Sequence, residues 1–232
     1  MEPRAAEDPG SQAETRQRLL EAAGEVFAEK GFRSATTREI CKKARANVAA
    51  INYHFGDKER LYEAVVRYAH RHAAERYPLG GDSGPKGSCP SGRLRAFVER
   101  LLFRTLSEGR PAWQAKLLAR EMIEPTRALD SLVHTDFRPI LEALDSICRE
   151  FLGPDATERE VRLTTRSVIG QCVYYRHAKG VIARLHPEER YQPEDIRRLA
   201  DHITEFSLGG LERLARAREA GADASPRAEG AR

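Results

Sequence analysis

The sequence has no long hydrophobic run, and its apolar residues nowhere approach the roughly 18 in succession that a membrane-spanning helix needs. Its first residues, MEPRAAEDPGS, are polar and acidic and offer no apolar core to a secretion signal. Aromatic residues make up only 7% of the chain, whereas 32% of its residues are charged. This composition excludes a membrane channel and a collagen-like fibre, and it is typical of a largely helical globular protein that stays in the cytoplasm.

Cysteine is scarce as well. There is no C-x-x-C pair and no Cys/His cluster with ligand spacing, so the sequence predicts neither a disulfide framework nor a zinc site. The set Cys172, His177 and His186 also lacks such spacing, and we expect no metal and no cofactor. A nucleophile elbow, a phosphate-binding glycine loop and a spaced carboxylate pair are missing too, which argues against an enzyme. The four cysteines, expected to be reduced thiols, are Cys41, Cys89, Cys148 and Cys172.

Stretches of biased composition divide the chain. Residues 1–13 and 217–232 are rich in Ala, Gly, Pro, Ser and charge, and we expect them to be disordered tails. Residues 78–92, PLGGDSGPKGSCPSG, are too rich in glycine and proline to continue a helix, and they are predicted to form a flexible linker. The ordered chain is thus expected to comprise a small unit, 14–60, and a larger one, 61–216.

Helical periodicity dominates both units. From Thr15 onward, apolar residues recur at helical spacing until Lys30 and Gly31, a basic last turn followed by a glycine stop. Similar apolar stripes are predicted within five later segments, 94–102, 117–123, 140–151, 157–181 and 193–214. The stripe of 140–151 begins at Ile140, and the helix over 157–181 is predicted to begin with a capping box at Thr157. No segment shows sustained period-2 alternation between hairpin turns, so the fold class is predicted to be all-α.

The most informative stretch is TTREICKKARANVAAINYHFGDK, from Thr36 to Lys58. Thr37 is predicted to cap a short helix that ends at Ala44, and Asn47 to cap a second one that ends near Phe55. Two short helices joined by a tight turn form a helix-turn-helix. Between residues 33 and 58 there are six basic and two acidic residues, so this stretch alone carries an excess of positive charge equal to the net +4 of the whole chain.

The second helix has the chemistry that a DNA groove requires. Small residues allow its backbone to approach the groove wall, and Asn52, Tyr53 and His54 can face base edges and phosphates. Ile51 and Phe55 are expected to dock onto the preceding helices, while Lys58 and the capped start of the first helix are placed to bind phosphate. The predicted DNA-binding residues are Thr36, Thr37, Arg38, Asn47, Val48, Ala49, Ala50, Asn52, Tyr53, His54 and Lys58.

The run from Thr15 to Leu61 resembles the amino-terminal domain of TetR-type transcriptional regulators. The resemblance rests first on a helix end marked by Phe27 and Gly31, followed by Thr36, Thr37, Ile40 and Ala44 at the family spacing. It rests further on the signature Tyr53-His54-Phe55, which is followed by Lys58-Glu59 and Leu61. It implies a three-helix DNA-binding head, a larger helical domain that binds a small ligand and dimerises, and a homodimer formed by the last two helices. Residues 167–176, SVIGQCVYYR, resemble the CecR-like (CerR-like) branch of this family.

The chain departs from the family pattern at four positions. Arg45 stands where these regulators usually have glycine, so the turn either accepts a non-glycine residue at positive φ, at some cost, or differs in geometry. Ala49 and Ala50 replace the more usual glycine and threonine, and Asn47 replaces the usual serine cap.

The larger domain gives weaker signals. An aromatic side chain at helical spacing fills a core more often than it lines a ligand site, and an arginine there more often forms a surface ion pair. With those alternatives open, the candidate pocket residues are Trp113, Lys116, Arg120, Met122, Tyr174, Tyr175, Arg176 and His177. The candidate dimer-interface residues are Val168, Cys172, Ile203, Phe206 and Leu211.

The favoured function is a dimeric repressor that binds a palindromic operator in double-stranded DNA and is released by a small-molecule effector. The alternative is an architectural or partner-recruiting DNA-binding protein whose carboxy-terminal domain only dimerises. A small helical enzyme is a third possibility, with no motif in its favour.

Overall fold

The computed structural model describes residues 9–79, 88–107 and 111–223. Every regular element within these ranges is helical, which confirms the predicted all-α class. No helix among them is both long and apolar enough to span a bilayer. The helices are α1 (Pro9–Ser34), α2 (Thr37–Ala44), α3 (Val48–Phe55), α4 (Lys58–Arg76), α5 (Pro90–Leu106), α6 (Ala112–Ile123), α7 (Arg127–Leu132), a π-helical turn (Val133–Phe137), α8 (Arg138–Leu152), α9 (Glu158–His177), α10 (Lys179–Leu185) and α11 (Pro193–Asp223).

The described residues form two compact units. The first comprises residues 9–75 and 111–135, and the second comprises 76–79, 88–107 and 136–223. This division differs from the boundary predicted at residue 60, because α6 and α7 belong to the same unit as the amino-terminal helices. The physical reason is that α6 packs along α1.

Three helices extend into segments that were expected to be tail or linker. α1 begins at Pro9, and its residue Gln12 accepts a hydrogen bond from the Tyr53 hydroxyl at 3.4 Å. α11 continues to Asp223, where Arg218 forms an ion pair with Glu160 that fastens the last turns of this helix. α5 already begins at Pro90, since proline is well tolerated in a first helical turn. The remaining residues of both predicted tails, and most of the predicted linker, lie outside the described ranges.

The first unit is built around α1. Its apolar stripe, which includes Leu19, Leu20 and Phe27, is buried, as the periodicity predicts. The Phe27 ring meets the ring of Tyr62 edge-on, with 4.9 Å between centroids. Near its end α1 kinks at Gly31, whose φ of 78° is favourable only for glycine.

α6 presents a partly polar face to this unit. Gln114, Leu117 and Glu121 are buried, whereas Met122 and Ile123 are exposed, so the predicted apolar stripe of 117–123 is wrong at its carboxy-terminal end. The fully buried Glu121 carboxylate accepts hydrogen bonds from the Tyr62 hydroxyl (2.6 Å) and from the Thr126 backbone N–H and hydroxyl (2.7 and 2.8 Å). These three donors compensate for the loss of hydration, which explains why a charged side chain occupies a core position.

The second unit packs α5 against α8, α9 and α11. Its core includes Phe97, Leu102, Leu144 and Val161, all of them completely buried. The capping box predicted at Thr157 is present: the Thr157 hydroxyl accepts from the Glu160 N–H, and the Glu160 carboxylate accepts from the Thr157 N–H. The helix predicted to run on to residue 181 instead stops at His177, and α10 follows as a separate helix after Ala178.

Gly24, in the middle of α1, provides a test of the α1–α6 contact. A Cβ at this position would overlap the far edge of the Trp113 ring. We expect Gly24→Ala to lower the free energy of unfolding by about 1–3 kcal/mol through overpacking, although alanine favours helix formation. The measurement is chemical denaturation of the single variants and of Gly24→Ala with Trp113→Leu. If the effects of the two substitutions on the free energy of unfolding were additive, the contact would be contradicted, because Trp113→Leu should relieve the clash that Gly24→Ala creates.

Candidate nucleic-acid interface

Short-range hydrogen bonds define the helix-turn-helix. The N-cap of α2 is Thr36 rather than the predicted Thr37, and it forms a complete capping box with Glu39. Thr36 occupies this position because its Glu partner lies three residues further on, which is the spacing that a capping box requires. α3 is capped by Asn47 as predicted, with its Oδ1 accepting from the Ala50 N–H at 2.8 Å. Both helices therefore have fixed starting points, and the turn between them spans only two residues before the second cap.

α3 has one buried and one exposed face. Ile51 and Phe55 are buried in the head, which confirms their predicted docking role. The opposite face is open to solvent, and Tyr53 is 70% exposed. The exposed residues of this face are Asn47, Val48, Ala49, Asn52 and Tyr53, while Ala50 and His54 are half-buried at its edge.

The positive charges of the head fall into two groups. Lys30 and Lys43 are already neutralised, because Lys30 Nζ lies 2.5 Å from Glu39 and Lys43 pairs with Glu25. The Lys30 contact and the hydrogen bonds from Thr36 lower the pKa of Glu39. By contrast, three exposed cations on α2 and at its end form no ion pair with any residue that the structure describes; they are Arg38, Lys42 and Arg45. These three cations are therefore available to phosphate.

Lys58 occupies an intermediate position. Its Nζ lies 4.8 Å from the centroid of the Phe32 ring and 3.4 Å from the Arg33 carbonyl oxygen, to which it donates. The side chain is thus held against the head at the start of α4. Its predicted contact with phosphate remains a prediction.

The sequence reasoning missed the first turns of α1 as part of this surface. The Arg16 guanidinium lies 5.2 Å from the centroid of the Phe55 ring, at the carboxy-terminal end of α3, and Gln12 bonds Tyr53. The available signal was the four-residue spacing of Gln12 and Arg16, which places them on one face of a helix. Both residues border the exposed face of α3.

The eight candidate pocket residues are divided between the two compact units. In the first unit, Trp113 packs on Gly24 and stacks with Tyr68, and Arg120 lies beside Gly31 and pairs with Glu124. Lys116 and Met122 are exposed. These contacts attach α6 to α1, and they are of the packing and ion-pair kinds named above as the alternatives for Trp113 and Arg120.

In the second unit, Tyr174 and His177 are exposed, whereas Tyr175 and Arg176 are half-buried. Burial lowers the pKa of Arg176 and raises the pKa of Tyr175. Close in sequence to this group, the Tyr191 hydroxyl is buried and has no hydrogen-bond partner among the described residues. Sequence reasoning gave no signal for Tyr191.

The candidate dimer residues do not share one environment. Cys172 and Ile203 are core residues of the second unit, and burial raises the pKa of Cys172 to about 12. These two side chains have no surface left to offer a partner. Val168 and Leu211 are almost fully buried and line the bottom of an apolar groove of about 220 Å³ between α9 and α11. Phe206, also in this groove, is 69% exposed.

A capped helix-turn-helix with an exposed polar face and unpaired cations defines the class of the protein: a helix-turn-helix DNA-binding protein. No group of three or more His, Cys, Asp or Glu side chains suited to a metal occurs in the described part of the chain.

Comparison with known proteins gives the family. The model for bacterial regulatory proteins of the tetR family matches residues 19–65, and that for the C-terminal domain of the HTH-type transcriptional dual regulator CecR matches residues 90–211. The chain therefore belongs to the TetR family, with a CecR-type C-terminal domain. CecR of Shigella flexneri is 29% identical over 180 residues, which cover 75% of this chain and 79% of that protein.

Solved structures share the fold. A transcriptional regulator from Rhodococcus sp. Rha1 is similar with a TM-score of 0.57 at 21% identity, covering 85% of this chain and 97% of that one. AibR, crystallised with isovaleryl coenzyme A and operator DNA, gives a TM-score of 0.57 at 16% identity over 83% of this chain and 97% of its own. The predicted family and fold are confirmed. The protein is a DNA-binding transcriptional regulator, and the family comprises regulators rather than enzymes.

Two asparagines, Asn47 at the cap of α3 and Asn52 within this helix, should respond differently to truncation. The Asn52 side chain makes no hydrogen bond within the described residues, so Asn52→Ala should leave the thermal midpoint unchanged and reduce the preference for one base position by about 1–3 kcal/mol. Asn47→Ala removes the α3 cap and should lower stability by about 1 kcal/mol. Thermal melts and binding to operator and random duplexes check both. If Asn52→Ala lowered the affinity for operator and for random duplex by the same factor, Asn52 would not read a base.

Proposed function

We propose that the protein is a ligand-responsive repressor that binds a palindromic operator as a homodimer. The observation that carries this proposal is the exposed face of α3, which is fixed by the Asn47 cap and bordered by unpaired cations. The recognition helix would enter the major groove, with Asn52 at base edges and Tyr53 and Lys58 at phosphates. Since DNA lies in the cytoplasm of a bacterium, the protein is proposed to act there.

A second copy of the chain is the proposed occupant of the α9–α11 groove. The groove exposes apolar side chains from both helices, among them Leu163, Phe206 and Leu214, while its polar lining is limited to small or amide side chains. A symmetric pair of such grooves forms an isologous interface, in which each Phe206 packs against the other copy. Two heads would then address half-sites roughly 34–36 Å apart, or at another spacing that the dimer fixes.

The effector is proposed to bind in the second unit. Support comes from the half-buried Arg176 guanidinium, which lacks an ion pair within the described residues, and from the buried, unpartnered hydroxyl of Tyr191. Polar groups that the fold leaves unsatisfied are suited to a ligand with acceptor oxygens. AibR, which shares the fold, was crystallised with a coenzyme A thioester and its operator. An amphipathic carboxylate or thioester is therefore the class of effector to test first.

Release from DNA requires only that the effector prefer the conformation that binds DNA poorly. A tenfold preference corresponds to about 1.4 kcal/mol of coupling. By linkage, operator DNA must weaken effector binding by the same factor.

The coupling is tested in two titrations with the same components. Isovaleryl coenzyme A and a series of fatty acids are first screened as thermal-shift ligands of the purified chain. Each compound that raises the thermal midpoint is then titrated with and without operator duplex, and operator is titrated with and without the compound. The proposal predicts that the compound weakens operator binding by the same factor by which the operator weakens binding of the compound. A protein that binds the compound and the operator independently would instead fit the architectural alternative.

Phe206→Asp tests the proposed interface. A charge in an apolar helix interface is costly, so this variant should be monomeric and should bind operator at least about tenfold more weakly. Because Phe206 is exposed within one chain, the variant should still fold. Val181→Asp is the matched control, since Val181 is an exposed apolar residue of the second unit outside the groove. Light scattering after size exclusion measures the mass, and a dimeric Phe206→Asp variant would contradict the assignment.

A further inference from the structure

Arg45 has an unusual backbone conformation. It is the C-cap of α2 with φ 51° and ψ 45°, the only non-glycine residue at positive φ in the part of the chain that the structure describes. Its backbone N–H donates to the carbonyls of Cys41 and Lys42, which ends the helix and begins the turn. Glycine would make the same two hydrogen bonds without the crowding that a Cβ meets in the left-handed region.

The Arg45 side chain does not compensate for this cost within the chain. It is exposed, and within residues 9–79, 88–107 and 111–223 its guanidinium makes no hydrogen bond, ion pair or ring contact. A side chain with no role in the fold, at a position where glycine is cheaper, suggests a role outside the fold.

The charges around Arg45 indicate what that role is. Arg38 and Lys42 are four residues apart and therefore share one face of α2, and Arg45 follows at the left-handed end of this helix; we call these three residues the cationic stripe. The acidic residue of α2, Glu39, is paired with Lys30, and Glu25 of α1 is paired with Lys43 of α2. The charge of the stripe is therefore not neutralised by these carboxylates.

The stripe ends at the start of the recognition helix. Arg45 lies two residues before Asn47, whose side-chain oxygen is already used to cap α3. In a helix-turn-helix the first helix crosses the phosphate backbone while the second lies in the major groove. A cation in the turn between them is consequently positioned at the edge of the groove, where phosphates rather than base edges are within reach.

We propose that Arg45 binds a DNA phosphate and is retained in the left-handed turn for this purpose. This inference rests on the proposed function, because it assigns a further contact to the same DNA interface. Arg38 and Lys42, both exposed on α2, add two further cations to the same interface. The strained turn is thus an anion-binding element that the sequence reasoning treated only as a departure from a glycine pattern.

Two substitutions separate binding from folding. Arg45→Gly and Arg45→Asn both remove the charge and both suit a left-handed position. Each variant should keep the thermal midpoint or raise it by up to about 4 °C. Each should bind DNA about tenfold more weakly at physiological salt, on operator and on random duplex alike. The slope of log K against log salt should become shallower by about 0.9 for each Arg45 that engages DNA. Arg45→Lys should retain most of the affinity and the full slope.

Arg138→Ala is the control for net charge. Arg138 is an exposed cation at the start of α8 in the second unit, and its loss should leave both affinity and slope unchanged. The measurements are fluorescence anisotropy over a range of salt concentrations and thermal melts of the full chain.

Three results would overturn the proposal. The first is an unchanged affinity and slope for Arg45→Gly. The second is a loss confined to the operator with an unchanged slope, which would make Arg45 a base-reading residue. The third is a lower thermal midpoint for both Arg45→Gly and Arg45→Asn, which would give the side chain a structural role. If the unsubstituted protein prefers no DNA sequence, the proposed function fails, but the slope on random duplex still tests Arg45.

Discussion

The packing of α6 on α1 is the constraint on which the first unit depends. Trp113 and Arg120 are seven residues apart on α6, and they lie against Gly24 and Gly31, which are seven residues apart on α1. The equal spacing fixes one register between the two helices, because both side chains need the room that a glycine leaves. The Glu121 carboxylate adds a polar anchor to Tyr62 in α4. A segment that begins 78 residues after the end of α1 in the sequence is thereby built into the DNA-binding unit.

This arrangement leaves the helix-turn-helix free to present a surface. The apolar residues of α3 dock inward through Ile51 and Phe55, and the acidic residues beside α2 are paired with lysines. What remains exposed is a polar helix face and a row of unpaired cations. Because the net charge of the whole chain is only +4, the placement of the positive charges matters more to DNA binding than their sum. The two ion pairs thus engage the carboxylates of Glu25 and Glu39 and leave Arg38, Lys42 and Arg45 unpaired.

Local signals in the sequence predicted the local features well. The Asn47 cap, the Thr157 capping box and the docking of Ile51 and Phe55 depend on residues at most four positions apart, and the structure contains all of them. The cap of α2 lies at Thr36, one residue before the predicted Thr37, because two adjacent threonines both suit that role and only the position of Glu39 decides between them.

Features that depend on distant contacts could not be predicted in this way. The buried Glu121 needs Tyr62 and Thr126 as donors, and neither partner can be identified from the spacing around α6. The same holds for Trp113 and Arg120, whose residue types suit a ligand site and whose actual neighbours are the glycines of α1. The extension of α11 past residue 216 likewise depends on an ion pair between Arg218 and Glu160, 58 residues apart.

The central claim is that the exposed face of α3 reads sequence. The measurement that tests it most directly is selection of bound fragments from a genomic DNA pool by the purified full-length chain, at low and at physiological salt. The account predicts enrichment of one palindromic sequence that persists at the higher salt, because base contacts add to the phosphate contacts. Binding without sequence preference that disappears at physiological salt would contradict the account and leave only a basic surface.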